Sequence, residues 1–288
     1  MARGAFPDPQ LLALMSRLAL WIRQGGGFPV HGRPLPGGAA AGLDFEGFTE
    51  YVPGMDLRHL DWPTYARTRG FYVRTFVDEG AGALAVLLDG SGSMQVGAPS
   101  KWQIARAIAA AVAYAGLSEL HPLLIGVARG ARLEALPFTG GLDFAPRVFE
   151  FLGGQQPSGQ TDLTAALGQL PTGHVRGDAL IISDFLDPRG PEAVIDALTR
   201  TGWRVDLCRV SAPGEFELPE GVAFFDPEGE GHVVVPDGQR RINAAGLVQA
   251  HRERLEQAAR QRGLPLVDVS TDTPLPQILT QLFRALSS

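Results

Sequence analysis

The sequence has only one cysteine, Cys208, and only one lysine, Lys101, among its 288 residues. A lone cysteine excludes an intrachain disulfide and a zinc site built from several thiolates, so we expect a reducing compartment. The rest of the positive charge is arginine, from which we draw no function.

Long apolar runs are missing as well. No segment reaches the roughly 18 uninterrupted apolar residues that suggest a membrane helix. The first run, residues 11–22, is interrupted by Arg17, is followed by Arg23 and lacks the arrangement of a signal peptide. We interpret it as an amphipathic helix that packs on the protein or faces a partner, and we expect a soluble, cytoplasmic protein.

The chain has no excess of positive charge, since its formal net charge is -6 and its pI is near 5.5. Both values argue against a nucleic-acid binder that depends on a large positive surface. A hydrophobic content of 45% over this length is enough for one large, well-buried domain, with or without an insertion.

From residue 84 onward, short apolar runs alternate with helical patterns, which is typical of βαβ units. Because each run is almost continuously apolar, we predict an α/β fold with a mainly parallel sheet and helices on both faces. The predicted strands are residues 84–88, 123–127, 179–183, 205–210 and 264–269, and the predicted helices are residues 101–117, 144–152, 163–170, 191–201, 244–262 and 275–286.

The chain divides into three parts on this interpretation. Residues 1–24 form an N-terminal amphipathic helix. Residues 25–80 form an irregular and β elaboration, rich in glycine and proline at first and ending in a strand-like run at 70–77. Residues 81–288 form the main domain, with a β-hairpin insertion near 222–235.

The first strand of the main domain runs directly into a DxSxS loop, residues 89–93. Ligands of open α/β sheets bind beyond the carboxyl ends of the strands, so we expect Asp89, Ser91 and Ser93 at the functional rim. Oxygen side chains at alternating positions suit a small hard cation, and Mg²⁺ fits this set best. Alone the triplet is a weak signal, because these residues are also common in turns.

Two further segments strengthen the metal hypothesis. Thr161 and Asp162 stand at the start of a predicted helix, and Asp184 follows Ser183 at the end of the most apolar strand. Three segments therefore offer hard oxygen ligands at one end of one predicted sheet. We expect Asp162 to supply negative charge to the helix start rather than to bind metal.

Each residue also has a purely structural interpretation. Asp89 and Ser91 could form a side-chain-supported turn, Thr161 could be a helix N-cap, and Asp184 could cap the helix after Pro188. Taken together in this order, the residues favour a metal site over these alternatives.

The order of DxSxS, a Thr-Asp at a helix start and an Asp after an apolar strand resembles the metal-ion-dependent adhesion site of von Willebrand factor A domains. The resemblance implies that Ser91 and Ser93 bind the ion directly and Thr161 directly or through water. It implies that Asp89 and Asp184 act mainly through waters and that a partner carboxylate fills an open coordination position. The ion would be Mg²⁺ or another divalent cation such as Mn²⁺ or Ca²⁺.

A motif-rich segment precedes this domain, with the succession Tyr51, Pro53-Gly54, Asp56-x-Arg58, Asp61-Trp62, Ala66-Arg67 and Tyr72-x-Arg74. It resembles the bacterial family known as domain of unknown function 58, in which such a succession precedes a von Willebrand-type domain. The similarity runs from about residue 45 to the end, although Met55 stands where the family commonly has an acidic residue.

Acidic, basic and aromatic side chains in this segment can form an arginine-carboxylate network packed between rings. We favour a structural role, in which the network holds the elaboration on the main domain, over direct partner binding. The residues concerned are Asp56, Arg58, Asp61, Trp62, Arg67 and Arg74.

No catalytic motif accompanies these residues. The serines do not lie in a G-x-S-x-G elbow, and the chain has neither a GK[ST] phosphate loop nor HExxH. We therefore predict a metal-dependent interaction module rather than an enzyme. The family resemblance implies an adaptor or co-chaperone acting with a MoxR-type AAA+ ATPase. The alternatives are a magnesium-dependent, phosphatase-like hydrolase using Asp89 as nucleophile or base, and a passive scaffold with a degenerate site.

Overall fold

The computed structural model of the chain describes residues 6–26, 44–50, 64–65, 69–77, 82–171, 177–215, 224–225, 233–234 and 238–286. Most of the segment between residues 25 and 80 lies outside these ranges, so the three-part division of the chain remains a prediction.

The described residues form seven helices and ten strands. The helices are α1 (Pro9–Trp21), α2 (Lys101–Ser118), α3 (Ala145–Gly154), α4 (Leu163–Leu167), α5 (Pro191–Thr199), α6 (Gly238–Gln261) and α7 (Leu275–Leu286). The strands are β1 (Asp44–Glu50), β2 (Tyr72–Val77), β3 (Ala83–Asp89), β4 (Leu123–Arg129), β5 (Arg132–Thr139), β6 (Gly177–Ser183), β7 (Arg204–Ser211), β8 (Phe224–Phe225), β9 (Val233–Val234) and β10 (Leu266–Ser270). Single turns of π or 3-10 helix occur at Ile22–Gly26, Gly92–Gln95 and Leu142–Phe144.

The main sheet has six strands in the order β10-β7-β6-β3-β4-β5. All neighbours are parallel except β4 and β5, which form an antiparallel edge. β3 lies in the middle, and the chain leaves it through α2 towards β4, whereas it leaves β6 towards β7 on the other side. The carboxyl ends of β3 and β6 therefore form a topological switch point, where open α/β sheets bind ligands.

The strand residues of β3 alternate between two apolar clusters, one on each face of the sheet. Leu84, Val86 and Leu88 belong to the cluster that contains the buried residues of α1, α2, α3 and α7. Ala85 and Leu87 belong to the cluster that packs against α4, α5 and α6. This two-sided burial follows from the period of two along a strand and from the continuous apolar sequence of β3.

The N-terminal helix α1 packs on the main core. Its buried Leu11 and Met15 share a cluster with α2, and Asp8 caps the helix by accepting a hydrogen bond from the backbone N–H of Leu11 at 2.7 Å. Leu20 and Trp21 on the same helix remain exposed.

The predicted fold class is confirmed: the structure has a mainly parallel sheet with helices on both faces. All five strands predicted for the main sheet are present within a few residues of their expected bounds, and the hairpin appears as the antiparallel pair β8 and β9. The sequence prediction missed β5 and β1, and it made α4 three residues too long at its C-terminal end. Within the described ranges, no helix is both long enough and apolar enough to cross a bilayer.

Candidate metal site

The DxSxS loop leaves β3 in a tight turn, in which the side chain of Asp89 accepts a hydrogen bond from the backbone of the loop. The backbone N–H of Ser91 donates to Oδ1 of Asp89 at 2.9 Å, and the hydroxyls of Ser91 and Ser93 lie 2.9 Å apart. A Cβ on Gly90 would lie 2.7 Å from the carbonyl oxygen of Ala128, so only glycine fits there. The turn predicted as a structural alternative is thus present, and it leaves the two hydroxyls beside each other.

A second loop, residues 158–162, lies directly against the first. The backbone N–H of Gly92 donates to the carbonyl of Gly159 at 2.7 Å, and that of Ser158 donates to the carbonyl of Gly90 at 2.9 Å. These two hydrogen bonds fix the segment that carries Thr161 next to the two serines. The structure therefore brings the first two predicted segments together.

The N-cap of α4 is Asp162, whose carboxylate accepts a hydrogen bond from the backbone N–H of Ala165 at 2.9 Å. The alternative in which Thr161 caps this helix is therefore wrong, and the expectation that Asp162 serves the helix start agrees with the geometry. Thr161 is 4% exposed, and its Oγ1 has no hydrogen-bond partner among the residues that the structure describes.

The third segment follows β6. The Ser183 hydroxyl donates to Oδ2 of Asp89 at 2.6 Å and accepts from the backbone N–H of Phe185 at 2.7 Å. Oδ1 of Asp184 accepts from the backbone N–H of Leu186 at 3.1 Å. Helix α5 begins after Gly190 without a side-chain cap, so Asp184 does not cap it.

Phe185 has a backbone conformation that few bulky residues adopt. Its φ is 60°, in the left-handed region, and its side chain is fully buried. His251 of α6 hydrogen bonds to the Phe185 carbonyl at 2.9 Å. Strain of this kind persists where the surroundings fix it and is common at functional sites. The position of Phe185, which follows Asp184, is thus fixed by its buried side chain and by the hydrogen bond between its carbonyl and His251.

The Asp89 carboxylate is buried in surroundings that disfavour its negative charge. Burial, together with the nearby Asp184 carboxylate, raises the pKa of Asp89 from 3.8 to about 6, although hydrogen bonds from Ser183 and Ser91 oppose the rise. Asp89 and Asp184 are therefore two buried carboxylates that lie close enough to repel each other. A cation placed between the loops would relieve this repulsion.

The structure adds two charged residues that the sequence analysis did not assign to the site. The Lys101 ammonium is fully buried and forms ion pairs with Asp184, at 2.7 Å, and with Glu215. Burial would lower the pKa of Lys101, but the two carboxylates outweigh it and hold the pKa above its ordinary value. The only feature of the sequence that could have indicated a special role for Lys101 is that it is the only lysine in an arginine-rich chain.

The donor set fits a hard divalent ion. The hydroxyls of Ser91 and Thr161 belong to buried residues, the Ser93 hydroxyl lies against that of Ser91, and the Thr161 oxygen has no partner among the described residues. The buried carboxylates Asp89 and Asp184 lie at the carboxyl ends of the two adjacent strands β3 and β6. In the described part of the chain, no three or more His, Cys, Asp or Glu residues gather into a metal cluster, so a cation here would depend on hydroxyl ligands. Such oxygen ligands suit Mg²⁺, Mn²⁺ or Ca²⁺ better than softer metals.

The upstream network falls almost entirely outside the described residues. This is true of Asp56, Arg58, Asp61, Trp62 and Arg67. Arg74 lies in β2, where its backbone pairs with Phe48 of β1. The choice between a structural and a partner-binding role for this network stays a prediction.

Among solved structures, BatB from Bacteroides thetaiotaomicron is 19% identical with a TM-score of 0.46, and the match covers 72% of this chain and 100% of that one. The SpRpn10 VWA domain is 10% identical with a TM-score of 0.44, covering 72% and 98%. The mussel byssus proximal thread matrix protein 1, in a structure with a zinc-occupied MIDAS motif, is 12% identical with a TM-score of 0.43, covering 72% and 48%.

Sequence comparison gives longer matches. Uncharacterized protein Rv1480 of Mycobacterium tuberculosis and uncharacterized protein Mb1516 of Mycobacterium bovis are each 29% identical over 281 residues, which is 94% of this chain and 88% of each relative. The model of one protein family matches residues 48–267, well over half of the chain. The chain therefore belongs to the family described as Protein of unknown function DUF58.

Proposed function

We propose that this protein is a metal-dependent interaction module, in which Ser91, Ser93 and Thr161 supply hydroxyl oxygens to a Mg²⁺ ion. Asp89 and Asp184 would act mainly through waters. The bound ion supplies positive charge with a coordination position open to an acidic group of a partner protein. The chain's own residues would hold the ion at the carboxyl ends of β3 and β6 and orient it towards the surface.

The observation that carries this proposal is the buried, unpaired hydroxyl of Thr161, on a loop whose backbone hydrogen bonds to the loop of the two serines. A buried hydroxyl without a partner costs about 1–3 kcal/mol. The N-cap role that would explain a threonine here belongs to Asp162 instead. An ion ligated by Thr161 would account for the missing partner.

The first test is a matched pair of substitutions that each remove one hydroxyl with little change in shape. Thr161→Val should abolish Mg²⁺ or Mn²⁺ binding measured by calorimetry, because it removes a ligand. Thr164→Val is the control, since the Thr164 hydroxyl is also buried without a partner but lies within α4. Equal ion binding by wild type and Thr161→Val, at unchanged stability, would contradict the proposed ligand.

The second test concerns the partner. We infer that the partner is a MoxR-type AAA+ ATPase in the cytoplasm, because the family resemblance implies an adaptor or co-chaperone for such an enzyme. Affinity capture from a native lysate, with Mg²⁺ and with EDTA, should recover an AAA+ ATPase only with Mg²⁺, and Thr161→Val should lose it. Failure to recover any ATPase under either condition would count against this partner.

One observation favours the passive scaffold as a second candidate. The Lys101 ammonium already contacts Asp184, so one of the two acids has a positive partner without any metal. A scaffold with a degenerate site predicts no heat of binding from Mg²⁺, Mn²⁺ or Ca²⁺ at millimolar concentration. The same titration therefore separates the two candidates.

A further inference from the structure

Lys101 occupies an unusual position for a lysine. It is the first residue of α2, the helix that follows the DxSxS loop and its 3-10 turn, and its side chain is 0% exposed. A capping box formed by Ser100 and Gln103 fixes the start of α2, and the backbone N–H of Lys101 donates to the carbonyl of Val96 at 2.9 Å. The helix start thus directs this side chain inward with little freedom.

The two acids that contact Lys101 are themselves held in place. The Asp184 side chain is 5% exposed and the Glu215 side chain 6% exposed. The second oxygen of Glu215 accepts a hydrogen bond from the backbone N–H of Ala212 at 3.0 Å, in the turn that follows β7. Lysine is rarely buried to this extent unless it is paired. The ammonium therefore links the ends of β6 and β7 as a fixed internal cation.

A fixed cation in contact with Asp184 must affect any second cation that binds near Asp184. Like charges repel strongly in a poorly solvated pocket, and the carboxylate that attracts a divalent ion is shared with the ammonium. Glu215 offsets part of this repulsion through its own ion pair with Lys101. Among the contacts that the structure describes, the ammonium lies against the predicted ligand Asp184, and Glu215 lies against the ammonium.

We propose that Lys101 is a positioning residue of the metal site, which holds Asp184 through an ion pair and lowers the affinity of the site for divalent ions. This inference rests on the proposed function. It adds that the site is tuned to hold its ion weakly, so that the carboxylate of a partner contributes much of the binding. Glu215 has the opposite effect, because it partly neutralises the ammonium.

The test is a titration of Mn²⁺ into wild type, Lys101→Met, Glu215→Gln and the double variant Lys101→Met/Glu215→Gln, all at pH 7.5. We expect Lys101→Met to tighten Mn²⁺ binding by about tenfold and Glu215→Gln to weaken it by about tenfold. The double variant should lie between wild type and Lys101→Met. A merely structural role for Lys101 predicts instead that both single variants bind more weakly or unchanged.

Folding is checked by urea unfolding in EDTA, because Lys101→Met leaves Asp184 and Glu215 without their cation. The double variant retains the net charge of the wild type and serves if the single variant does not fold. Arg204→Met is the matched control, since Arg204 pairs with the buried Asp178 at the opposite end of the sheet, at 3.7 Å. It should lower stability and leave Mn²⁺ affinity unchanged.

The outcomes separate this inference from the proposed function. If the wild type binds Mn²⁺ and neither folded Lys101→Met nor the double variant binds more tightly, the inference is overturned and the proposed site stands. If Lys101→Met binds and the wild type does not, the effect of Lys101 on the site is supported, but the proposed function is contradicted, because the wild-type site is then degenerate. If no folded variant binds, both are overturned.

Discussion

Replacing Asp89 by asparagine should stabilise the protein at neutral pH while it removes ion binding. The change is nearly isosteric, and the amide can retain both hydrogen bonds of the carboxylate. Its oxygen can accept from the backbone N–H of Ser91, and its NH₂ can donate to the Ser183 hydroxyl, which donates to the carboxylate in the wild type. The charge is removed, and the contacts remain.

The size of the effect follows from the pKa of Asp89. This pKa rises from 3.8 in the unfolded chain to about 6 in the folded protein, so the folded state binds more protons between these values. Stability contributed by this group therefore falls as pH rises from about 4 to about 6. At about 1.4 kcal/mol per pH unit, the ionised carboxylate costs about 3 kcal/mol above pH 7 and less than about 1 kcal/mol at pH 4.

The assay is urea unfolding of wild type and Asp89→Asn in EDTA, at pH 7.5 and at pH 4. The variant should be more stable by up to about 3 kcal/mol at pH 7.5, and most of this gain should be absent at pH 4. Mg²⁺ should then raise the unfolding midpoint of the wild type and leave that of Asp89→Asn unchanged.

Asp178→Asn provides the control, because Asp178 is also a buried carboxylate of β6 but pairs with Arg204 at the other end of the strand. It should lose stability at pH 7.5, since its neutral amide no longer pairs with the arginine. If Asp89→Asn is less stable than wild type at pH 7.5, or gains equally at both pH values, the reasoning about Asp89 is wrong.

Three further predictions address the loop and the core. Ser91→Ala with Ser93→Ala should abolish Mn²⁺ binding by calorimetry and keep a cooperative urea transition; a lost transition would make the loop structural. Gly90→Ala should destabilise the protein by about 1–3 kcal/mol and weaken ion binding, because a Cβ would meet the Val127 side chain at 2.8 Å. Cys208 should resist a thiol reagent at pH 8 until urea unfolds the chain, because burial, with Asp268 nearby, raises its thiol pKa to about 12; fast native labelling would contradict this.

The sequence predicted the centre of the fold well because each central strand carries its own signal. β3 is apolar from Ala83 to Leu88 and β6 from Ala179 to Ile182, since helices cover both faces, and such runs are visible without any knowledge of their neighbours. β5 was missed because it is a half-exposed edge strand that contains Pro137 and has no continuous apolar run. Its position is set by pairing with β4 rather than by its own composition.

The candidate site, like the fold, could be predicted from the sequence only in part. The order of the loops could be predicted, because the carboxyl ends of parallel strands share one edge of a sheet. The ion pairs could not, since Lys101 lies 83 residues from Asp184 and 114 residues from Glu215 along the chain. The same holds for the hydrogen bond between Ser183 and Asp89, which are 94 residues apart. These contacts arise from the order of the strands in the sheet, so the local spacing of residues along the sequence cannot predict them.

Two features of the site destabilise the folded protein and are not needed to form a simple turn. The hydrogen bond between the Ser91 N–H and Asp89 is enough to shape the loop, yet Asp89 keeps a charge that its surroundings disfavour, and Thr161 keeps a buried hydroxyl unpaired. A divalent ion bound to these oxygens would relieve both costs at once. Ion binding and folding should therefore be coupled, and at an ion concentration of about 100 times Kd the wild type should gain about 2.7 kcal/mol in stability. A passive scaffold would not explain why both destabilising features lie at the same edge of the sheet.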